Sequence, residues 1–120
     1  MGDPLGDHGE ALAARHLESA GLTILGRNWR CPLGEIDIVA SHGEFVVFVE
    51  VKTRQGLAAG HPLEAITPRK TRQVIRCAKA WLQNNPNVSL QPRFDAVGII
   101  LGDSAPQIEW VPGAFGEDGC

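Results

Sequence analysis

Three residues carry chemistry by type and spacing: Asp37, then Glu50 and Lys52 with Val51 alone between them. Glu50 and Lys52 follow an apolar run, residues 45–49, of the kind found in a strand buried on both faces. Charge at the end of such a strand needs a reason, because burying an ion is expensive even after relaxation. If "GEIDIVA" and "FVVFVEVK" pair as an antiparallel hairpin around His42-Gly43, an even-numbered loop sets Ser41 opposite Glu44, Asp37 opposite Phe48 and Glu35 opposite Glu50. Opposed residues share a face and side chains alternate, so Glu35, Asp37, Phe48, Glu50 and Lys52 all project from one side.

Three carboxylates and one ammonium leave −2 on that face. Two like charges about 4 Å apart repel by about 4 kcal/mol at an effective dielectric near ~20. Either a carboxyl keeps its proton or a divalent cation joins the acids, and Mg²⁺ or Mn²⁺ accepts such hard oxygen ligands. A lone E-x-K in a strand is more often a structural ion pair. The upstream aspartate on the same face and the apolar lead-in move the reading toward a metal site.

The elements that must position these groups follow from periodicity. Ala11, Leu12, Ala14, Leu17 and Ala20 recur at helical spacing from Gly9, and Gly21 is a natural stop. "LTILGRNW", "GEIDIVA" and "GEFVVFVEVKTR" read as three strands, and "QGLAAGHPLEAI" as a loop. Thr67-Pro68 opens a second helix, a capping hydroxyl followed by proline at the first helical position, which runs to about Gln83. "RFDAVGIIL" and "QIEWV" are two further strands, with a partly loose tail from Pro112. The order α-β-β-β-α-β-β implies an α/β fold, a mixed sheet flanked by helices. At 120 residues this is one domain, with a core over about residues 9–115 and flexible termini.

The net charge of −3 gives no global sign of a nucleic-acid binder, but a local basic patch can hide inside such a total. "TPRKTRQVIRCAK" holds Arg69, Lys70, Arg72, Arg76 and Lys79 without an acid. Its first turns carry cations where the helix dipole disfavours them, which an anionic partner would explain; a solvated face explains a charge run equally well. Arg54 adds to the same patch. Val74, Ile75, Ala78, Trp81 and Leu82 form the buried stripe of that helix. Arg93 and Asp95 share a strand face and suit a pair that supports the site from behind without being catalytic. Cys31, Cys77 and Cys120 show no C-x-x-C spacing, no leader pattern opens the chain, and no apolar run approaches the ~20 residues that cross a bilayer. The expectation is a reduced, cytoplasmic protein with free thiols and no membrane partner.

With Asp37, Glu50 and Lys52 in place, the chain resembles the PD-(D/E)xK nuclease superfamily, the restriction-endonuclease-like fold. More specifically, "GEALAARHLESAGLTILGRNWRCPLGEIDIVA", "FVVFVEVKTR", "PLEAITPRKTRQVIRCAKAWL" and "RFDAVGI" resemble the YraN family of small bacterial proteins, described as predicted endonucleases distantly similar to archaeal Holliday-junction resolvases. The resemblance covers about residues 9–115. It implies that Asp37 and Glu50 hold Mg²⁺ or Mn²⁺ with the Val51 carbonyl, that Lys52 orients or activates water, and that Glu10 joins from the first helix. Glu35 is either an outer ligand or a neighbour. The proline of the superfamily's name is absent, Ile36 standing before Asp37, and Gln73 is followed by Cys77 where the exonuclease branch has tyrosine.

Two functions remain in view, and a third class beside them. The first is a metal-dependent endonuclease hydrolysing phosphodiester bonds in DNA, including branched DNA in recombination or repair; the resolvase likeness admits a homodimer. The second is a nucleic-acid-binding module that kept the fold without turnover. The third is a protein-interaction domain docking an acidic partner.

Overall fold

The structure, a computed structural model, describes residues 4–116. Helix α1 spans Pro4–Ser19, strands β1, β2 and β3 span Thr23–Cys31, Gly34–His42 and Phe45–Gln55, helix α2 spans Pro68–Asn84, and β4 and β5 span Gln91–Leu101 and Gln107–Phe115. This is the expected α-β-β-β-α-β-β order. The strands form one sheet in the order β1-β2-β3-β4-β5; β3 and β4 are parallel, joined through α2, and the other pairs are antiparallel. Ala13, Ala14 and Leu17 of α1 pack with Val47, Val49 and Val51 on one face, and Val74, Cys77, Ala78 and Trp81 of α2 pack with Val46 and Phe48 on the other. The apolar run of β3 is therefore covered on both sides, as its composition requires.

Three boundaries differ from expectation. Helix α1 begins at Pro4, not Gly9, with proline in the first turn where its missing N–H is no loss. The segment before α2 contains a single 3₁₀ turn, Pro62–Ala65, capped by the His61 ring accepting from the Leu63 amide. The tail is not loose at Pro112: β5 runs to Phe115, because the Gly113 amide donates to Asp95 and the Phe115 ring stacks on Phe94. Helix α2 starts as expected, Thr67 Oγ1 accepting from the Lys70 amide.

The β2–β3 hairpin is offset by two residues from the expected register. His42 pairs with Phe45 and Val39 with Phe48, around a Gly43-Glu44 loop. Gly43 takes φ +59, and a positive φ at the first loop position alone is the pattern of a type II′ turn, which asks for glycine there. A slip of two preserves the faces, so the acids and Lys52 still meet, although Glu35 lies beside Arg30 of β1 instead of opposite Glu50.

A second irregularity opens the sheet. Ile38 and Ile36 have the same strand parity, yet Ile38 faces α1 and Ile36 belongs to the cluster under α2. Asn28 lies on β1 between the partners of these two residues and has φ +53, the one positive φ among the described non-glycine residues. The β1–β2 ribbon turns over at Asn28 and Asp37, and the β2–β3 pairing ends at Ile38–Val49. Cys31 and Cys77 are free thiols, their Sγ atoms 3.8 Å apart, while Cys120 lies outside the described residues. No described helix is long and apolar enough to cross a membrane.

Candidate functional site

The gap between β2 and β3 is where the charges meet. Beyond Val49 the Val51 amide has lost its strand partner, and Asp37 Oδ2 accepts from it at 2.8 Å. The side chain thus completes the ladder that the turning-over of β2 interrupts. Asp37 is 7% exposed and Glu50 2%. One oxygen of the latter, Oε1, is buried without a hydrogen-bond partner, as is Oε1 of Glu10. Such an unpartnered carboxylate oxygen is rare in an interior unless it meets a proton or a cation.

Proton affinities follow this burial. Glu50 is pushed up to about 8, first by desolvation and then by the Asp37 charge, with Lys70 and Lys52 opposing. Asp37 is raised by burial while the Val51 amide, Glu50 and Lys70 pull it down and Glu35 adds repulsion. The contact between the two favours the protonated form of Glu50 and pulls Asp37 down. Glu10, reaching over from α1, is pushed to about 7 by burial and by Asp37, with Arg27 and Asn28 opposing. Three carboxyls with raised values in one recess are a functional-site signal with a physical cause.

The recess has a volume of about 330 Å³ and is walled by Glu10, Glu35, Asp37, Glu50, Val51 and Lys52, with Asn28 and Lys70. All of the residues expected as catalytic or metal-binding are therefore brought together. Glu35 stands at the rim, its Oε2 3.1 Å from Arg30 Nε. The described residues contain no group of three His, Cys, Asp or Glu side chains drawn together as a metal site. Asp37 and Glu50 form a buried pair, with Glu10 and Glu35 on the walls.

A second cleft, about 470 Å³, adjoins the first: Lys52, Thr67, Arg69, Lys70, Gln73 and Arg76 line it with no acid, and Lys52 and Lys70 belong to both walls. Of the expected phosphate-facing residues, Arg69, Lys70 and Arg76 are brought there. Arg54 and Arg72 are not: Arg54 Nε is buried without a partner, and Arg72, exposed on α2 between Arg69 and Arg76, does not line the cleft.

Sequence reasoning missed several members of the acidic recess, Asp7 and Arg30 among them, and two of these matter most. Lys70 was assigned to a surface patch, yet its Nζ lies 4.0 Å from Glu50 Oε2. Asn28 was passed over inside a strand, although asparagine is depleted in strands and tolerates positive φ, which marked the position. Outside the site, Arg93 binds Asp95 through two bonds of 2.9 Å; Trp110 Nε1 and the Gly113 amide also donate to Asp95, so this buried acid is a fully satisfied structural hub. None of its partners lines the recess, so the Arg93–Asp95 pair does not stand directly behind the site as the sequence suggested.

Fold and site together define a small α/β protein with a proton-holding carboxylate pair where its mixed sheet splays, beside a cationic cleft. The model of the uncharacterised protein family UPF0102 matches residues 9–99, and the chain belongs to that family, the one to which the YraN likeness pointed. Relatives called UPF0102 protein include one from Rhodococcus opacus, 49% identical over 92% of this chain and 95% of the relative. Others come from Syntrophotalea carbinolica, 45% identical over 96% and 94%, and Acidothermus cellulolyticus, 45% identical over 94% of each.

Proposed function

We propose that this protein is a cytoplasmic, metal-dependent endonuclease of the PD-(D/E)xK kind that hydrolyses phosphodiester bonds in DNA. The observation that carries the reading is the buried Asp37–Glu50 pair with an unpartnered oxygen, opening beside Lys52 into a cleft lined by cations. An acidic recess alone repels phosphate; a recess that takes up a doubly positive ion does not.

The donors fit such an ion. Asp37 and Glu50 offer hard oxygens, Glu50 Oε1 has no competing partner, and the Val51 carbonyl lies on the same edge of β3 as the amide that Asp37 holds, since a strand residue turns both groups to one neighbour. Glu35, already paired with Arg30, suits an outer position. When bound, Mg²⁺ or Mn²⁺ supplies a Lewis acid for the phosphoryl oxygens. The chain's own residues do the rest. Arg69 and Arg76 receive neighbouring phosphates and fix the strand over the recess. The Lys52 ammonium stabilises negative charge developing on the attacked phosphate. Glu10, with a proton affinity near neutrality, can exchange a proton with water at the recess wall.

The lack of a three-ligand set favours a second reading, a nucleic-acid-binding module without turnover. One experiment separates the two. Labelled branched and linear DNA is incubated with the protein in Mn²⁺ and in EDTA, alongside Asp37→Ala and Lys52→Ala. Cleavage in Mn²⁺ alone that falls by at least ~100-fold in both variants supports the enzyme, in line with the loss of a principal electrostatic group. Binding without cleavage in every condition supports the module.

A further inference from the structure

Lys70 occupies an unusual place. It stands in the first turn of α2, where the helix dipole disfavours a cation, and its side chain is 29% exposed while that of Glu50 is 3% exposed. Its Nζ is 4.0 Å from Glu50 Oε2 and donates to Gln73 Oε1 at 3.1 Å. Gln73 is itself anchored: its Nε2 donates to the Leu33 carbonyl at 3.2 Å, at the tip of the β1–β2 hairpin. It also fills the space over Gly34, where a Cβ would come within 2.6 Å of Nε2. A frame of helix, glutamine and hairpin tip thus aims this ammonium at the carboxylate pair.

We propose that Lys70 is the built-in counter-cation of the Asp37–Glu50 pair, held there by Gln73, and that a divalent cation binding to the pair displaces it into the basic cleft. The inference rests on the metal reading of the site and deepens it. Two ionised carboxylates are balanced by a doubly charged ion alone, so once it is bound the Lys70 ammonium is surplus positive charge and leaves, together with the proton that Glu50 holds in the cation-free protein. Departure requires rotation of a flexible stem and release of the hydrogen bond to Gln73 Oε1, and the path is short because Lys70 already lines both clefts. There it joins Arg69 and Arg76, where a phosphate replaces the partner it gave up. Cation and phosphate then favour each other's binding, and the coupling is reciprocal.

Calorimetric titration of Mn²⁺ into the full chain and its variants tests this. Removal of the competing ammonium in Lys70→Gln should tighten Mn²⁺ binding about tenfold, a change that corresponds to losing one charge pair of this separation in a semi-polar site. Lys70→Arg keeps the charge and should stay near the wild type. Arg69→Gln, which alters the basic cleft alone, should change affinity by no more than about twofold, as expected for a screened surface charge. Gln73→Ala, which frees the ammonium without removing it, should give an intermediate gain and provides a second variant. Equal gains in Lys70→Gln and Arg69→Gln, or none in either, overturn the proposal while leaving the metal site intact, provided that Glu50→Gln abolishes the wild-type heat. If neither the wild type nor Lys70→Gln binds Mn²⁺, the metal reading fails and takes this inference with it.

Discussion

Glu50 sits at 2% exposure with one oxygen unpartnered and Asp37 alongside, and its behaviour with pH follows from that burial. Its carboxyl titrates near 4.5 when exposed and is pushed up to about 8 in the folded chain. The cation-free folded state therefore binds a proton between those values that the unfolded chain has released. Stability associated with the protonated carboxyl is present in full below about pH 4.5 and is lost as pH rises through about 8. Glu50→Gln mimics the protonated form without titrating. In EDTA at pH 8.5 it should unfold roughly 5–10 °C above the wild type, corresponding to about 2 kcal/mol in a chain of this size, and at pH 4 the two should nearly coincide. Thermal unfolding followed by circular dichroism reads this directly. A gain of the same size at both pH values would mean that the glutamine improves packing, and that the buried charge is not the cause.

Between elements, the decisive contact is that of α1 on β3. Gly9 lies against Thr53, so a Cβ at position 9 would overlap the Thr53 side chain, and the adjacent residue on the helix is Glu10. Gly9→Ala should destabilise the protein by about 1–3 kcal/mol, the usual range for overpacking a close interface. Adding Thr53→Ala should recover part of that loss, since the closest overlap is with its Oγ1, while the Cβ that alanine keeps would still lie within 2.9 Å. Chemical denaturation of the two single variants and the double variant gives the coupling, and strict additivity would contradict the contact. The same element scale explains what was legible beforehand. Element order could be read because each strand and helix carries its own period and caps, as at Thr67-Pro68. The convergence of Asp37, Glu50 and Lys52 could be read because face parity survives a register slip of two. What escaped were features set by long-range geometry: the turning-over at Asn28, which takes β2 away from β3, and the reach of Lys70 from a helix entered twelve residues after β3 ends. Local pattern specifies neither where two strands part nor which side chain of a distant helix overhangs the gap.

Across the whole molecule, charge is segregated in a way the net value of −3 conceals. Acids gather in the recess, while Lys52, Arg69, Lys70 and Arg76 line the adjoining cleft without a single carboxylate. If that cleft is the track for a nucleic-acid backbone, the number of phosphates neutralised is bounded by those four side chains. One of them, Lys70, is shared with Glu50 in the cation-free protein, so three or four phosphates should be engaged. For a single strand each phosphate contributes about −0.7 to the slope of log affinity against log salt, which predicts a slope between about −2 and −3. Fluorescence anisotropy of a labelled oligonucleotide, titrated in EDTA across a range of KCl concentrations, measures that slope. Arg69→Gln should reduce its magnitude by about 0.7 and weaken binding for every sequence alike, as a phosphate contact does. Arg72→Gln, exposed on α2 but outside the cleft lining, should leave the slope where it was. The contrast between these two neighbours on one helix is the informative part, because general attraction to a basic helix would penalise both equally. Equal losses would move the backbone track from the cleft to the open face of α2, and so away from the recess that holds Asp37 and Glu50.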